Sequence, residues 1–182
     1  MAIREIITPA NPVLRQKARK VTAYNAALKT LVDDMIDTMR VAPGVGLAAP
    51  QVAESLRVIV VEYAEPPAEA SADGEPADPP KPKLYKVINP EIAKASEETA
   101  LGDEGCLSLP GYGGEVPRHT AVTVKGFNLQ GKPIRIKAEG WLARIFQHEI
   151  DHLDGILFID RATRIWKAEP ESRAKVPEAG DA

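Results

Sequence analysis

Two histidines spaced one helical turn apart are the residues of this chain best suited to chemistry. They are His148 and His152, within the sequence Gln-His-Glu-Ile-Asp-His. Four residues of an α-helix turn through about 400°, so both imidazoles leave nearly the same face and can bind one divalent metal ion. Glu149 follows the first histidine, and a carboxylate beside a metal serves as a general acid/base. The spacing predicts a helical metal site with its own proton carrier.

The third metal ligand has few candidates, since the chain holds one cysteine and three histidines. A thiolate from Cys106 would complete a Cys-His-His set and leave one position open, which is typical of a catalytic site. His119 would instead make a fourth ligand and a closed, structural site. We expect His119 to be solvated, because it adjoins Arg118 in what the sequence suggests is a surface connection.

Alternatives without a metal remain for each of these residues. The two histidines could be core side chains hydrogen-bonded to carboxylates, because buried histidine and glutamate must be paired with something. Cys106 could be a small packing residue or a nucleophile with a histidine base. A nucleophilic cysteine leaves the histidine spacing unexplained, so we favour ligation.

A segment rich in glycine and alanine, residues 44–51, could lie against a ligand. Its small side chains let a ligand approach the backbone, and it lacks the Lys-Ser/Thr ending of a phosphate loop. Taken alone, it is better explained by a helix exit followed by a tight turn. Gln51 matters if its amide points at the metal, because an uncharged amide can donate to an oxyanion.

Composition and charge are those of a soluble globular domain. The chain has 182 residues, 44% hydrophobic and 27% charged, with a net charge of −3 that gives no global reason to expect nucleic acid or an anionic membrane as partner. The N-terminus lacks a secretory signal, and no apolar run approaches the roughly 20 residues needed to cross a bilayer. One cysteine excludes an internal disulfide. The sequence therefore predicts a cytoplasmic protein.

Periodicity predicts an α+β fold with small antiparallel or mixed sheets around a central metal-binding helix, plus an N-terminal helix. The central helix is expected from about Gly140 to Leu153, and Asn25 caps the N-terminal one. Asp33, Asp34 and Asp37 fall off the apolar stripe of that first helix. Predicted strands are 56–63, 84–88, a hairpin of 121–125 with 134–137, and a last short strand at 156–158.

Domain organisation is expected to be simple. Residues 1–166 form one predicted catalytic domain, and the Pro-, Ala- and acid-rich segment 64–82 is a predicted mobile inserted loop. Residues 167–182 hold two prolines and many charges, and are predicted to be a frayed tail.

Three segments together resemble the peptide deformylase family of the bacterial type. Its motifs are a glycine-alanine segment ending in glutamine, Glu-Gly-Cys-Leu-Ser, and Gln-His-Glu-x-Asp-His, and they occur here in that order at 44–51, 104–108 and 147–152. The resemblance extends from about residue 3 to 160. Such an enzyme is a metal-dependent hydrolase that removes the N-formyl group from formyl-methionine of newly made polypeptides and releases formate.

The resemblance also implies roles for single residues. Cys106, His148 and His152 correspond to the metal ligands and Glu149 to the general acid/base. Gln51 and the backbone N–H of Leu107 correspond to the oxyanion-stabilising groups. The backbone of Gly46 corresponds to the group that pairs with the substrate peptide, and the positions that match the methionine pocket are Val45, Trp141, Ile145 and His148.

The family implies Fe²⁺ as the most favoured metal, with Ni²⁺, Co²⁺ or Zn²⁺ as substitutes, and N-formylmethionyl nascent peptides as the partner. Many bacterial relatives end in a long helix implicated in ribosome docking, but Pro170 and Pro177 interrupt the tail here. Transient ribosome contact is therefore an expectation from the resemblance alone. The rival interpretations are an HExxH metallopeptidase, a structural metal domain and a degenerate binding module.

Overall fold

The computed structural model describes residues 2–64 and 80–167, and two helices and eight strands are found in them. The helices are α1 (Ala26–Val41) and α2 (Gly140–Leu153). The strands are β1 (Gly46–Ala48), β2 (Val58–Tyr63), β3 (Lys83–Ala95), β4 (Thr99–Gly105), β5 (Tyr112–His119), β6 (Ala121–Phe127), β7 (Pro133–Glu139) and β8 (Arg164–Lys167). Three short 3-10 helices span Pro12–Arg15, Ala49–Val52 and Phe158–Asp160.

The strands form two sheets, in which every strand pairing is antiparallel. A five-stranded sheet has the order β1-β2-β3-β6-β7, and a three-stranded sheet has the order β4-β5-β8. The predicted α+β class is confirmed, as is the hairpin of β6 and β7. Strand β1 lies at an edge of the larger sheet, so one side of its backbone has no strand partner among the described residues.

Helices α1 and α2 cover opposite faces of the larger sheet. Val58 and Val60 of β2 pack in the cluster that holds the buried side of α1, whereas Ile59 and Val61 pack in the cluster that holds α2. Successive strand residues point to opposite faces, so a strand covered on both sides must be apolar throughout. This explains the unbroken β-branched run that predicted β2.

Helix α1 begins where Asn25 accepts a hydrogen bond from the N–H of Leu28 at 3.0 Å. Asp34 lies off the apolar stripe, but it is buried. Its carboxylate accepts from the backbone N–H of Ala2 at 2.8 Å and from Arg4 at 3.2 Å. The N-terminal segment therefore covers this side of α1, which periodicity within the helix does not reveal.

The predicted strand at 156–158 is wrong. Phe158–Asp160 is a 3-10 helix because the Asp160 carboxylate accepts the N–H of Leu157 at 2.8 Å and closes a turn. The last strand is β8, which reaches Lys167 and pairs with β5. A second error concerns His119 and Arg118, which lie in strand β5 and not in a surface connection.

Most of the predicted inserted loop at 64–82 and of the predicted tail at 167–182 lies outside the described residues. The described residues 80–82 have no regular secondary structure. In the described parts, neither helix combines the length and apolar character needed to cross a membrane.

Candidate metal centre and active site

Three side chains that are distant in sequence converge between α2 and the end of β4. The ligand atoms of Cys106, His148 and His152 all lie within 4.8 Å of one another. The Sγ of Cys106 lies 3.2 Å from Nε2 of His152. In the described ranges no fourth histidine, cysteine or carboxylate belongs to this group. The arrangement offers one thiolate and two imidazoles, with any further ligand left to come from outside the chain.

Helix α2 positions both histidines as the spacing predicts. Their ring centroids lie 5.0 Å apart, and both residues are buried. Cys106 comes from the other side of the site, immediately after Gly105, the last residue of β4. The turn that follows is closed by a hydrogen bond from the N–H of Leu109 to the carbonyl of Cys106 at 3.0 Å.

Glu149, which follows His148 on α2, has one carboxylate oxygen unpaired. Its side chain is buried, and Oε2 has no hydrogen-bond partner within the described residues. Burial raises the pKa of Glu149 to about 7, with the charge of Glu104 adding to the rise and His148 and Arg118 opposing it. An unpaired carboxylate oxygen in an apolar setting suits a group that exchanges protons with a bound water or substrate.

The donor set fits a divalent metal ion. Burial lowers the pKa of His152 well below its usual value, which keeps the imidazole in the neutral form that binds metals. Burial lowers the pKa of His148 as well, but hydrogen bonds with Cys106 and Glu104 have the larger effect together and raise this pKa well above its usual value. The sulfur of Cys106 and the two imidazoles lie close enough together for one divalent cation to contact all three.

Gln51 is oriented toward the centre by a contact on its far side. Its Oε1 accepts the N–H of Ala48 at 2.8 Å, so its NH₂ group must point the other way. Nε2 lies 3.4 Å from Sγ of Cys106 and 3.3 Å from Oγ of Ser108. The structure thus brings an amide donor to the cluster, as expected from the end of the glycine-alanine segment.

The same segment supplies a close approach of backbone to the site. It consists of β1 followed by the 3-10 helix Ala49–Val52, and not merely of a turn. A Cβ atom added to Gly46 would lie 2.4 Å from Oε1 of Glu149, and one added to Gly44 would lie 2.8 Å from Cδ1 of Leu107. The segment therefore borders the site, and only glycine fits at both positions without displacing a neighbour.

The remaining predicted site residues differ in their exposure to solvent. Val45 and Trp141 are exposed, and Ile145 is buried in the cluster below α2. The N–H of Leu107, which follows Cys106, makes no hydrogen bond within the described chain. These positions agree with the expected roles without testing them.

Sequence reasoning missed a network of buried charges behind the histidines. Glu104 and Asp151 are joined through Arg118, and the side chains of all three are at most 11% exposed. Arg161 completes the chain with two hydrogen bonds to Asp151, at 2.7 and 2.8 Å. The sequence pointed to these residues only in that Glu104 lies in the motif at 104–108 and Asp151 in the motif at 147–152.

The match to known proteins is decisive at this point. The family model for polypeptide deformylase matches residues 3–168, across all three motifs. The chain belongs to the polypeptide deformylase family. The family and the enzyme class expected from the motifs are thereby confirmed.

Individual relatives agree over nearly the whole length. The peptide deformylase of Symbiobacterium thermophilum is 50% identical over 98% of this chain and 77% of its own, and that of Desulforudis audaxviator is 46% identical over 92% and 98%. The crystal structure of the Thermotoga maritima enzyme superposes with a TM-score of 0.77 at 38% identity, over 90% of this chain and 100% of that one. The crystal structure of a class I type b peptide deformylase from Acinetobacter baumannii with Met-Ala-Ser bound superposes with a TM-score of 0.77 at 40% identity. The match covers 88% of this chain and 100% of that one.

Proposed function

We propose that this protein hydrolyses the formyl amide of N-formylmethionyl peptides and releases formate and a free N-terminal methionine. The observation that supports it most directly is the convergence of a thiol, two imidazoles and an amide donor on one point, in a member of the polypeptide deformylase family. The Acinetobacter baumannii relative binds Met-Ala-Ser. That tripeptide is what deformylation of formyl-Met-Ala-Ser leaves behind.

Cys106, His148 and His152 would hold the metal, for which we propose Fe²⁺, with Ni²⁺, Co²⁺ or Zn²⁺ as substitutes. One thiolate and two imidazoles suit all four of these borderline ions. When bound, the metal supplies Lewis acidity, which acidifies water and polarises the formyl carbonyl.

Glu149 is the proton carrier in this proposal. Its free Oε2 accepts the proton of the attacking water and later donates it to the nitrogen of the departing methionine. Burial keeps bulk water from competing for that oxygen. Oε1 lies so near Gly46 that an added Cβ atom would be 2.4 Å from it, which would limit the movement of the carboxylate toward that side.

Gln51 and Leu107 stabilise the charge that develops on the formyl oxygen. The Gln51 amide is held by Ala48 with its NH₂ toward the centre, and the N–H of Leu107 is not engaged elsewhere in the described chain. Donors that are already oriented need no rearrangement when the charge appears, and removing one such donor typically costs about 10²–10³-fold in rate.

The substrate chain is proposed to lie along the free edge of β1, paired with the backbone of Gly46. Its methionine side chain would then contact Val45, Trp141 and Ile145. Of these, Ile145 is buried and the other two are exposed.

The cellular setting belongs to the proposal as well. Nascent polypeptides carrying formyl-methionine are the proposed partners, in the cytoplasm, with transient contact to the ribosome. Residues 1–166 are proposed to form one catalytic unit. The absence of a strong positive charge, −3 overall, gives no reason to add a specific nucleic acid.

The test is formate release from formyl-Met-Ala-Ser by anaerobically purified protein loaded with Fe²⁺ or Ni²⁺. Metal-free protein and a metal-loaded Glu149→Gln variant serve as controls. Release that requires both the metal and Glu149 is the expected result. A protein that binds one metal ion per chain and releases no formate would refute the proposal and direct attention to peptide-bond cleavage.

A further inference from the structure

The three proposed metal ligands lie on two separate elements, and noncovalent contacts set the distance between these elements. Cys106 follows strand β4, whereas His148 and His152 lie on α2. The position of the thiolate relative to the imidazoles therefore depends on contacts between this strand and this helix. Glu104, on β4, joins the two elements through hydrogen bonds from Arg144 and His148 of α2.

Glu104 accepts four hydrogen bonds on its two carboxylate oxygens. Oε1 accepts from Nε of Arg118 at 2.8 Å and from Nη1 of Arg144 at 2.9 Å. Oε2 accepts from Nη2 of Arg118 at 2.9 Å and from Nδ1 of His148 at 2.9 Å. The side chain is 4% exposed, so no solvent is needed to satisfy it.

This arrangement determines which nitrogen of His148 carries the proton. Guanidinium groups donate and never accept, so both arginines require Glu104 to be an ionised acceptor. His148 must then donate from Nδ1, which leaves the lone pair of Nε2 free for a metal. His152 has no such support, because its Nδ1 is buried and has no hydrogen-bond partner within the described residues.

Arg144 fastens the same helix to the backbone of the smaller sheet. Its guanidinium donates to the carbonyls of Val116 and Ala100 at 2.7 Å each and to that of Gly102 at 3.3 Å. The absence of a side chain at Gly102 makes room for it, since a Cβ atom there would lie 2.7 Å from Nη2. Arg144 precedes His148 by one helical turn, so the helix is held at the level of the ligand.

We propose that Glu104 is a positioning residue: it selects the Nδ1–H tautomer of His148 and sets the spacing between the cysteine-bearing strand and the histidine-bearing helix. The inference rests on the metal site of the proposed function, but it concerns metal binding and not the reaction. Carboxylates that hold a ligating histidine typically change metal affinity about 10- to 100-fold when removed.

The test substitutes Glu104→Gln, which keeps the shape and one acceptor oxygen. The amide NH₂ must then face either Nε of Arg118 and Nη1 of Arg144, or Nη2 of Arg118 and Nδ1 of His148, so two donors lose their acceptor. We expect the dissociation constant for Co²⁺, measured by chelator competition, to rise about 10- to 100-fold. We also expect the ligand-field spectrum of bound Co²⁺ to change. Glu91→Gln, which removes a carboxylate from exposed pairs with Lys20 and Lys125, should leave both unchanged.

A purely structural role predicts a different result. The variant would then lose thermal stability equally with and without metal, and its Co²⁺ affinity and spectrum would match those of the wild type. That outcome would overturn the proposal. Because neither measurement involves turnover, wild-type protein that binds Co²⁺ but releases no formate would refute the proposed function and leave this inference standing.

A measurement on the wild-type protein covers the case in which Glu104→Gln does not fold. In Zn²⁺-loaded protein with ¹⁵N-labelled histidine, we expect the Nδ1 proton of His148 to exchange slowly with solvent. It should resonate further downfield than that of His152, since only His148 donates to a carboxylate. Equivalent Nδ1 protons on the two histidines would overturn the proposal.

Discussion

The carboxylate of Glu149 occupies the space that a side chain at position 46 would need. A Cβ atom on Gly46 would lie 2.4 Å from Oε1, 2.8 Å from Cδ and 2.9 Å from Cγ of Glu149. Two motifs separated by about a hundred residues are therefore in direct contact, one supplying the edge strand and the other the proton carrier. The glycine is required here for close approach.

Gly46→Ala should disable the proton carrier without removing the metal ligands. The added methyl group must displace the Glu149 carboxylate, and loss of general acid/base catalysis typically costs about 10²–10⁴-fold in rate. Formate release and metal content measured on the same preparation check this. As a control, Gly111→Ala introduces a methyl group with no atom within 4 Å, so its φ of +79° adds backbone strain without displacing a side chain, and activity should be kept. Full activity in Gly46→Ala would show that Glu149 tolerates displacement.

Variants of the metal ligands and a variant of the proton carrier should differ in how much metal they retain. Glu149→Gln is expected to keep one metal ion per chain and lose about 10²–10⁴-fold in turnover, because none of the three ligand atoms belongs to it. Cys106→Ala and His152→Ala should lose the metal together with activity. Elemental analysis after gel filtration, paired with kcat, makes the comparison. Near-wild-type turnover in Glu149→Gln would contradict the proposed mechanism.

Arg118→Met should be strongly destabilising. It removes three hydrogen bonds from Glu104 and Asp151, whose side chains are 4% and 11% exposed. Breaking a buried pair by removing one partner costs about 3–5 kcal/mol, and the loss here should approach the lower value because Arg144 and Arg161 still pair with the two carboxylates. The free energy of unfolding from urea titration is the measurement. Lys29→Met removes a surface i,i+4 ion pair with Asp33 and should change the free energy of unfolding by less than about 0.5 kcal/mol. Equal losses in the two variants would contradict a buried role for Arg118.

Substitution by alanine should lower the free energy of unfolding by different amounts at two glycines with positive φ. Gly140 has φ +54° and no atom within 4 Å of an added Cβ, so Gly140→Ala meets only backbone strain of about 1–2 kcal/mol. Gly155 has φ +75°, and its Cβ would also lie 2.7 Å from the carbonyl oxygen of Arg15. Gly155→Ala should therefore be clearly the less stable variant in urea unfolding. The reverse order would show that the Arg15 segment moves away freely.

Asp34 should give part of the protein's stability a dependence on pH. The N–H of Ala2 lowers its pKa, burial opposes the change, and Arg4 lowers the pKa further. A carboxyl whose pKa is lower in the folded state stabilises fully above its unfolded pKa of about 3.9, and this contribution is lost as the pH falls through the folded value. The difference in urea midpoint between wild type and Asp34→Asn should thus shrink as the pH falls from 5 toward 3. A constant difference would contradict the assignment.

Much of the active site was predictable because its parts are encoded by short-range patterns. The spacing of His148 and His152 specifies one face of a helix whatever surrounds it, since helical geometry repeats every 3.6 residues. The apolar run of β2 and the cap at Asn25 are equally local. The family follows from the order of three motifs, which needs no knowledge of distances. The sequence alone therefore determined the enzyme class, the helix of the site and the α+β character.

Only the tertiary structure decided what those residues contact. The partners of Glu104 come from β5 and from α2, 14 to 44 residues away, and no local pattern predicts such pairing. The strand predicted after α2 was wrong for the same reason. Its apolar residues suggested a strand, but the Asp160 carboxylate closes a 3-10 turn and Phe158 stacks on His148. Burial of Asp34 and the fit of Glu149 against Gly46 likewise depend on packing between elements. Local propensity acts within a few residues, whereas burial and charge pairing arise only when distant segments meet.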